Sequence, residues 1–269
     1  MSEIGKIFYL KTRIISHLNI APQHFKMILE APQIAKEAKP GQFIHVKVSE
    51  GINPLLRRPF SIHRVIDKEI EILYKIRGKG TEILSQRKEG ELLDIIGPLG
   101  NGFPFGEEQN KNILLVAGGI GIAPLIFLAE KLREIKNQKS KIKIIALLGA
   151  KTKDFVLCEK ELKDLCTEVK ISTEDGSYGF KGLVTELLKN SLTPDYSSLT
   201  TLYTAGPLLM LQEIKKIANI FKILVFASLE ENIACGLGGC LGCVIKTKQG
   251  YKRVCKDGPV FNLEEVLWE

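Results

Sequence analysis

The chain has 269 residues, of which 45% are hydrophobic and 26% charged. This composition is typical of a soluble globular protein with room for two modest domains and a small appendage. The net charge of +7 comes from 38 basic and 31 acidic side chains. Because the lysines are scattered singly, whereas a nucleic-acid surface clusters basic and aromatic residues, we expect no nucleic-acid partner.

The sequence shows neither a secretion signal nor a membrane span. No basic segment followed by an apolar one stands at the N-terminus. The longest uncharged run, residues 112–129, is shorter than the roughly 20 residues that a spanning helix needs, and it contains three glycines and Pro124. We predict a cytoplasmic protein that does not associate with membranes.

Residues 1–108 are predicted to form an antiparallel β-barrel domain. Short runs in which apolar and polar residues alternate are separated by turn signals such as Pro40-Gly41. Alternation of this kind indicates strands with one buried face, and several such strands in succession favour a barrel. The runs lie at 25–29, 42–48 and 69–76.

A flavin-binding motif lies within this domain. Arg58-Pro59-Phe60-Ser61, preceded by Arg57, offers a planar guanidinium for a pyrophosphate and a serine that can reach the edge of a flavin ring. An isolated R-x-x-S is also compatible with a surface arginine beside a strand serine. Gly80-Thr81 and the predicted loop Gly97–Phe103 strengthen the flavin interpretation.

Residues 109–227 are predicted to form an α/β domain with a doubly wound parallel sheet. A continuous apolar strand at 113–117 is followed by a glycine turn and by a helix that begins near Pro124. Strands and helices then alternate, which is typical of a parallel sheet. Further strands are predicted at 142–148, 169–172, 202–204 and 223–226, and helices at 158–166, 182–189 and 207–219.

The turn after the first strand of this domain is a candidate dinucleotide site. Gly119 and Gly121 expose backbone N–H groups near a helix N-terminus, where a pyrophosphate is stabilised. A plain tight turn is the alternative, because Pro124 replaces the third glycine of G-x-G-x-x-G. Glu174 and Asp175 follow a later strand, and carboxylates there favour NAD over NADP, although a solvated acidic turn explains them equally well.

Residues 228–269 are predicted to form a small iron–sulfur domain. Cys235, Cys240, Cys243 and Cys255 follow the spacing C-x4-C-x2-C-x11-C. This is the plant-type [2Fe–2S] pattern, and the glycines between the first three cysteines allow the backbone to approach a cluster. A four-cysteine zinc site is the alternative, although such sites usually pair two short knuckles. Cys158 and Cys166, on a predicted helix, are assigned no role.

With its motifs in this order, the chain resembles the ferredoxin reductase superfamily along its whole length. Within it, the chain is most similar to the electron-transfer subunits of NAD-dependent, B-type dihydroorotate dehydrogenases. The resemblance implies that Arg58 to Ser61, Leu73-Tyr74-Lys75 and Gly80-Thr81 bind FAD. It also implies that Gly119 and Gly121 contact the NAD phosphates and that the four cysteines hold the cluster.

The resemblance further implies an electron relay in pyrimidine biosynthesis, with activity that requires a partner. Dihydroorotate would be oxidised on an FMN-containing catalytic subunit, in a heterotetramer, and electrons would pass through [2Fe–2S] and FAD to NAD+. The cofactors perform the redox chemistry, so no catalytic acid or base is expected.

Two points stay open on the sequence alone. Relatives usually carry Cys-Gly-Pro where this chain has Ala205-Gly206-Pro207, which leaves the positioning of the nicotinamide in question. The chain is also compatible with a flavin and iron–sulfur subunit of another complex, namely an NADH-dependent ferredoxin:NADP oxidoreductase, a sulfide dehydrogenase or a hydrogenase. The alternative from a different class of protein is an interaction protein that binds zinc and is built on a degenerate nucleotide-binding fold.

Overall fold

The computed structural model describes residues 6–105, 112–138, 142–192 and 200–268. The chain divides into two compact units. The barrel unit comprises residues 1–102, 230–245 and 251–259, and the sheet unit comprises 103–229, 246–250 and 260–269. The predicted domain boundary at residue 108 lies outside the described residues, and the division into three domains stays a prediction.

The barrel unit contains six strands that close into an antiparallel barrel, as predicted. Its strands are β1 Phe8–Ala21, β2 His24–Glu30, β3 Phe43–Lys47, β4 Arg58–Ile66, β5 Glu69–Lys75 and β6 Leu92–Leu99, with short helices α1 Pro32–Glu37 and α2 Lys79–Ser85. The strand order is β1-β2-β5-β4-β3-β6. The predicted loop at 97–103 is wrong for its first three residues, because Gly97 to Leu99 pair as the end of β6 with β1 and β3.

The barrel interior is filled by aliphatic side chains from alternate strand positions. Met27 and Leu29 on β2 and Ile70 and Ile72 on β5 are fully buried. Successive strand residues point to opposite faces, so the period-2 pattern in the sequence places these side chains on the same side. Burial of each stabilises the fold by about 1.5–3 kcal/mol relative to exposure.

The sheet unit is an α/β layer structure, which confirms the predicted class. Its strands are β7 Asn112–Gly118, β8 Lys143–Ala150, β9 Glu168–Thr173, β10 Phe180–Lys181, β11 Thr200–Ala205, β12 Leu224–Ser228 and β15 Val260–Asn262. They lie in the order β10-β9-β8-β7-β11-β12-β15. All neighbours are parallel except β15, which pairs antiparallel with β12 at the edge.

The helices of the sheet unit follow the predicted alternation with small shifts. They are α3 Ala123–Gln138, α4 Glu159–Leu165, α5 Val184–Ser191 and α6 Leu208–Phe221. Cys158 and Cys166 were expected on a helix, but they flank α4, because Cys158 adopts a left-handed conformation and Cys166 an extended one. Both thiols are buried.

Three short strands complete the C-terminal part of the chain. They are β13 Val244–Thr247, β14 Gly250–Arg253 and β16 Val266–Leu267. None of the helices in the described ranges combines the length and apolar character that crossing a bilayer requires.

Candidate functional site

The four predicted cluster cysteines are brought together as two pairs. The side chain of Cys240 lies close enough to shift the pKa of Cys235, and that of Cys243 lies close enough to shift the pKa of Cys255. The charge of Cys235 also acts on Cys255, so the pairs are neighbours. Within the described residues, no group of three or more His, Cys, Asp or Glu side chains is arranged around a point that suits a single metal ion. A two-iron cluster instead takes its thiolates two to each iron.

Backbone N–H groups of this segment are directed at the sulfur atoms. The amides of Leu237, Gly242 and Cys255 donate to the Sγ atoms of Cys235, Cys240 and Cys243 at 3.4, 3.5 and 3.4 Å. Such donors stabilise a thiolate relative to a thiol. The segment therefore supplies donors that suit the thiolate form in which cysteine binds iron.

The two ends of the cysteine set differ in pKa. Burial raises the pKa of Cys235, but the amides of Cys240 and Leu237 outweigh it and lower that pKa to about 6. At the other end, burial and then the hydrogen bond with Cys243 raise the pKa of Cys255 to about 12. Iron binding deprotonates a coordinating thiol outright, so a high pKa of the free thiol is compatible with a role as ligand.

Two glycines leave space beside the sulfurs. A Cβ atom added at Gly239 would meet nothing within 4 Å, and one added at Gly242 would meet only the Cys240 sulfur, at 3.5 Å. By contrast, Gly236 and Gly238 have positive φ angles of 74° and 82° and pack against other parts of the barrel unit. The open glycines and the amide-supported thiols fit the predicted cluster.

An arginine that the sequence reading did not single out braces this segment. The Arg253 guanidinium forms two hydrogen bonds with the Asp257 carboxylate, at 2.9 and 3.1 Å, and Nη1 donates to the Gly238 carbonyl at 3.1 Å. The Asp257 carboxylate lies first among the groups that raise the pKa of Arg253, followed more weakly by the charges of Cys255 and Cys243. The only sign of this role in the sequence was the position of Arg253, two residues before Cys255.

The P-L-G-N-G-F motif holds the residues that follow Cys255. Asn101 donates from its backbone to the Gly258 carbonyl at 2.6 Å and from Nδ2 to the carbonyls of Lys256 and Asp257 at 3.2 and 3.1 Å. A Cβ at Gly100 would lie 2.6 Å from the Gly258 oxygen, so only glycine permits this approach. The sequence reading connected this motif with the flavin, and its contact with the cysteine segment was not foreseen.

The structure brings two parts of the predicted flavin site together. The Arg58 side chain at the start of β4 lies against Gly80, where an added Cβ would come within 2.7 Å of Nε. Gly80 is in the first turn of α2, and Thr81 caps that helix by accepting from the Arg77 and Gly78 amides at 2.8 and 3.2 Å. A guanidinium and a helix start thus meet at one place, which is chemically suited to a phosphate.

The remaining flavin candidates differ in exposure. Pro59, Ser61 and Lys75 are half-buried. Phe60, Leu73 and Tyr74 are buried, and the Tyr74 ring lies 5.4 Å from that of Phe60. The Tyr74 hydroxyl is 2.8 Å from Nε2 of His17, and burial raises its pKa. The structure therefore places the side chains of Leu73 and Tyr74 in the packing of the barrel, so a role in flavin binding is left to their backbone groups.

The glycine turn of the sheet unit divides into an open residue and a packed one. Gly119 has φ +54°, and an added Cβ would meet nothing within 4 Å. Gly121 lies so close to the Ala205 carbonyl and the Gly206 amide that a Cβ would collide with both. Gly119 is therefore the residue whose backbone a nucleotide can approach, while Gly121 allows β7 and β11 to end side by side.

Met210 packs against the segment Ala205-Gly206-Pro207, which departs from the family's Cys-Gly-Pro. Ala205 is buried at the end of β11. The Met210 thioether packs on both neighbouring glycines, with Sδ 2.7 Å from a Cβ position at Gly118 and 3.1 Å from one at Gly206. Sequence reasoning did not single out Met210, because only the tertiary contact between the two turns brings it there.

The acidic turn lies at the same edge of the sheet as the glycine turn. Glu174 and Asp175 directly follow β9, and the carboxyl ends of parallel strands share one edge. Both residues are exposed. One Asp175 oxygen accepts from the Ser177 amide and hydroxyl at 2.9 and 2.7 Å, which lowers the Asp175 pKa. Asp175 thus stabilises the turn, whereas the Glu174 carboxylate takes no part in these two hydrogen bonds.

Two family models match the chain. Residues 230–267 match the iron–sulfur cluster binding domain of dihydroorotate dehydrogenase B, and residues 115–216 match the oxidoreductase NAD-binding domain. The first match covers all four cluster cysteines.

Curated relatives match the chain over nearly its full length. The dihydroorotate dehydrogenase B (NAD+) electron transfer subunit of Desulforamulus reducens is 40% identical, covering 99% of this chain and all of the relative. The same subunit from Bacillus mycoides is 40% identical over 94% of this chain and 96% of the relative.

Solved structures share the architecture. An NADH-dependent reduced ferredoxin-NADP oxidoreductase superimposes with a TM-score of 0.83 at 31% identity, covering 96% of this chain and 90% of that one. A ferredoxin NADP+ reductase from Neisseria gonorrhoeae has a TM-score of 0.67 at 16% identity, over 82% and 99% of the two chains, which shows the shared fold.

Proposed function

Because the chain belongs to the family of dihydroorotate dehydrogenase B (NAD+) electron transfer subunits, we propose that it relays electrons from an FMN-containing catalytic subunit to NAD+ in pyrimidine biosynthesis. Its cofactors are a [2Fe–2S] cluster, FAD and NAD. When bound, these groups supply the one-electron and hydride chemistry, while the chain supplies binding, spacing and electrostatics.

The cluster is held by Cys235, Cys240, Cys243 and Cys255. The observation that carries the proposal is the meeting of these thiols in two pairs, each with a backbone N–H directed at sulfur, inside the same compact unit as the flavin motif. An amide-rich loop of this kind stabilises negative charge on the sulfurs. The Arg253 cation lies near the second pair and adds to that stabilisation.

The FAD site is built on the start of β4 and the first turn of α2. We assign the pyrophosphate to Arg58 and the backbone at Gly80-Thr81, since these groups meet in the structure. Pro59, Phe60 and Ser61 continue along β4, and Leu73 to Lys75 belong to the adjacent β5. We assign to them the support of the isoalloxazine ring through backbone contacts rather than through the buried Leu73 and Tyr74 side chains.

NAD is bound at the carboxyl edge of the parallel sheet. The open backbone at Gly119 and the start of α3 bind the pyrophosphate through N–H groups. Gly121 maintains the contact between the turns that form the site. Glu174 repels the 2′-phosphate of NADP.

The partner is an FMN-containing dihydroorotate dehydrogenase catalytic subunit, and we infer a heterotetramer in the cytoplasm. The relatives that match the chain over nearly its full length are named electron transfer subunits, which implies a separate catalytic chain. Free thiols and iron-bound thiolates also suit a reducing compartment.

The proposal is tested by comparing the chain alone with the chain co-expressed with an FMN β/α-barrel subunit. We expect the isolated chain to contain FAD, iron and acid-labile sulfide and to pass electrons from NADH to an artificial acceptor. Reduction of NAD+ by dihydroorotate should require both chains. Stoichiometric zinc without sulfide, or dihydroorotate oxidation by the single chain with no second polypeptide, would overturn the proposal.

The second candidate is a subunit of an NADH-dependent ferredoxin:NADP oxidoreductase, which the structural similarity at 31% identity supports. Identity of 40% over the full length of a dihydroorotate dehydrogenase subunit favours the first candidate. An assay with reduced ferredoxin and NADP+ separates the two, because only the second candidate requires that pair of substrates.

A further inference from the structure

A buried histidine lies between the flavin motif and the cysteine segment. His45 on β3 stands opposite Pro59 of β4 on one side and Ile96 of β6 on the other. Its side chain is fully buried, and Nδ1 lies 2.7 Å from the position that a Cβ would take at Gly236. One residue therefore contacts the strand that carries the flavin motif and the residue next to the ligand Cys235.

The polar atoms of this imidazole are not used elsewhere in the barrel. Among the residues that the structure describes, neither ring nitrogen has a partner with hydrogen-bond geometry, although the carbonyls of Arg57 and Cys235 lie near enough to act on the ring. In either protonation state the imidazole carries at least one N–H donor. A buried polar group left without a partner destabilises the fold, and an aliphatic residue would avoid this cost.

The two ends of the cysteine segment are held in different ways. The Cys255 end is held by hydrogen bonds from Asn101 and by the Arg253–Asp257 pair. At the Cys235 end, the side chains nearest to a Cβ position at Gly236 are His45 and Leu99, whose Cδ1 lies 3.3 Å from that position. Of these two, His45 alone carries a hydrogen-bond donor.

We propose that His45 is a positioning residue that holds the Cys235–Gly236 backbone on the barrel and so fixes the first cluster ligand relative to the flavin strand. The Cys235 carbonyl, which lies near the ring, is the acceptor that we assign to its N–H. Groups that hold a metal ligand in place tune the affinity and potential of the metal. The inference rests on the proposed cluster site.

The first experiment compares His45→Phe with His24→Phe. Phenylalanine keeps a ring in each place and removes the nitrogens. His24 is also buried in the barrel, on β2, but its Nδ1 lies 2.7 Å from the Pro22 carbonyl, in a different part of the chain. We expect His45→Phe to release iron to a chelator about tenfold to a hundredfold faster and to shift the cluster's midpoint potential and EPR signal. His24→Phe should change neither, and His45→Gln, which retains an N–H donor, should restore part of the difference.

The second experiment approaches the same contact from the loop. Gly236→Ala and Gly238→Ala impose similar backbone strain, since both residues have positive φ. The added methyl at 236 presses on His45, whereas at 238 it meets the side chain of exposed Lys256, which can move away. We expect faster iron loss and a larger shift of potential for Gly236→Ala than for Gly238→Ala. This pair also decides the question if His45→Phe does not fold.

The outcomes separate this inference from the proposed function. Unaltered potential, EPR signal and iron release in His45→Phe, or equal effects in each matched pair, would overturn the role of His45 while leaving the cluster assignment intact. Absence of iron and sulfide from the unmodified protein would instead overturn the cluster assignment itself. A selective effect of His45→Phe and Gly236→Ala would establish the positioning role.

Discussion

The barrel unit and the sheet unit build their candidate sites from different materials. In the barrel unit most of the groups that we propose as cofactor contacts are side chains, namely four thiols and the Arg58 guanidinium. In the sheet unit the corresponding groups are backbone amides at Gly119 and the start of α3. A site built from side chains is disrupted when a substitution removes the contacting atoms. A site built from backbone amides is disrupted when a substitution adds a side chain that blocks the backbone. The predictions below use this difference, beginning with the largest expected effect.

Replacing a buried cluster ligand should abolish the cluster. In Cys243→Ser the hydroxyl remains protonated and binds iron poorly, so we expect nearly complete loss of iron and acid-labile sulfide. Visible spectra with iron and sulfide analysis measure this. Cys166→Ser is the control, because Cys166 is a buried thiol in the sheet unit whose pKa burial raises to about 12. Equal iron loss in both variants would show that Cys243 is not a ligand.

Removing the Arg58 guanidinium should weaken FAD binding, whereas removing the Arg57 guanidinium should destabilise the barrel. Arg58→Ala removes a charge-assisted contact worth about 1.5–3 kcal/mol, so FAD affinity should fall about tenfold to a hundredfold. Arg57 instead pairs with Asp94 at 2.7 Å on β6, so Arg57→Ala should lower thermal stability more than flavin retention. Flavin content after dialysis and thermal unfolding measure the two effects. Undiminished flavin in Arg58→Ala would refute its role.

Substitution by alanine should have different effects at the two glycines of the nucleotide turn. Gly121→Ala forces a Cβ against the Ala205 carbonyl and should destabilise the sheet unit by about 1–3 kcal/mol, as overpacking does. Gly119→Ala meets no neighbour within 4 Å, so its cost is limited to the left-handed backbone, about 1–2 kcal/mol. We expect Gly121→Ala to lower the unfolding temperature further, while Gly119→Ala retains the fold and weakens NADH binding. Greater loss of stability in Gly119→Ala would contradict this division.

Neutralising the acidic turn should have the smallest effect, because both carboxylates are exposed. The unmodified protein should prefer NADH to NADPH, and Glu174→Gln should narrow the ratio of their kcat/KM values by a few fold, on the scale of roughly 1 kcal/mol for an exposed charge. Asp175→Asn is the comparison, since Asp175 already accepts hydrogen bonds from Ser177. Equal kcat/KM for the two nucleotides before any substitution would remove the basis for this assignment.

The sequence predicted the side-chain site better than it predicted the backbone site. The cysteine spacing indicated the cluster segment, and the structure brings all four thiols together. The glycine pattern indicated the nucleotide turn, but nothing in the pattern distinguished open Gly119 from packed Gly121. The distinction depends on Ala205, which reaches Gly121 only because β7 and β11 are neighbours in the sheet.

Local patterns in the sequence determined the barrel, the α/β alternation and the cysteine spacing, because strand period, helix period and ligand spacing are set by neighbouring residues. Closure of the barrel and the strand order decided the rest. Those long-range contacts place Arg58 on Gly80, His45 beneath Gly236 and Asn101 beside Gly258. Residues so far apart in the chain leave no periodic signal, since their contact is selected by the packing of the whole unit rather than by any local preference.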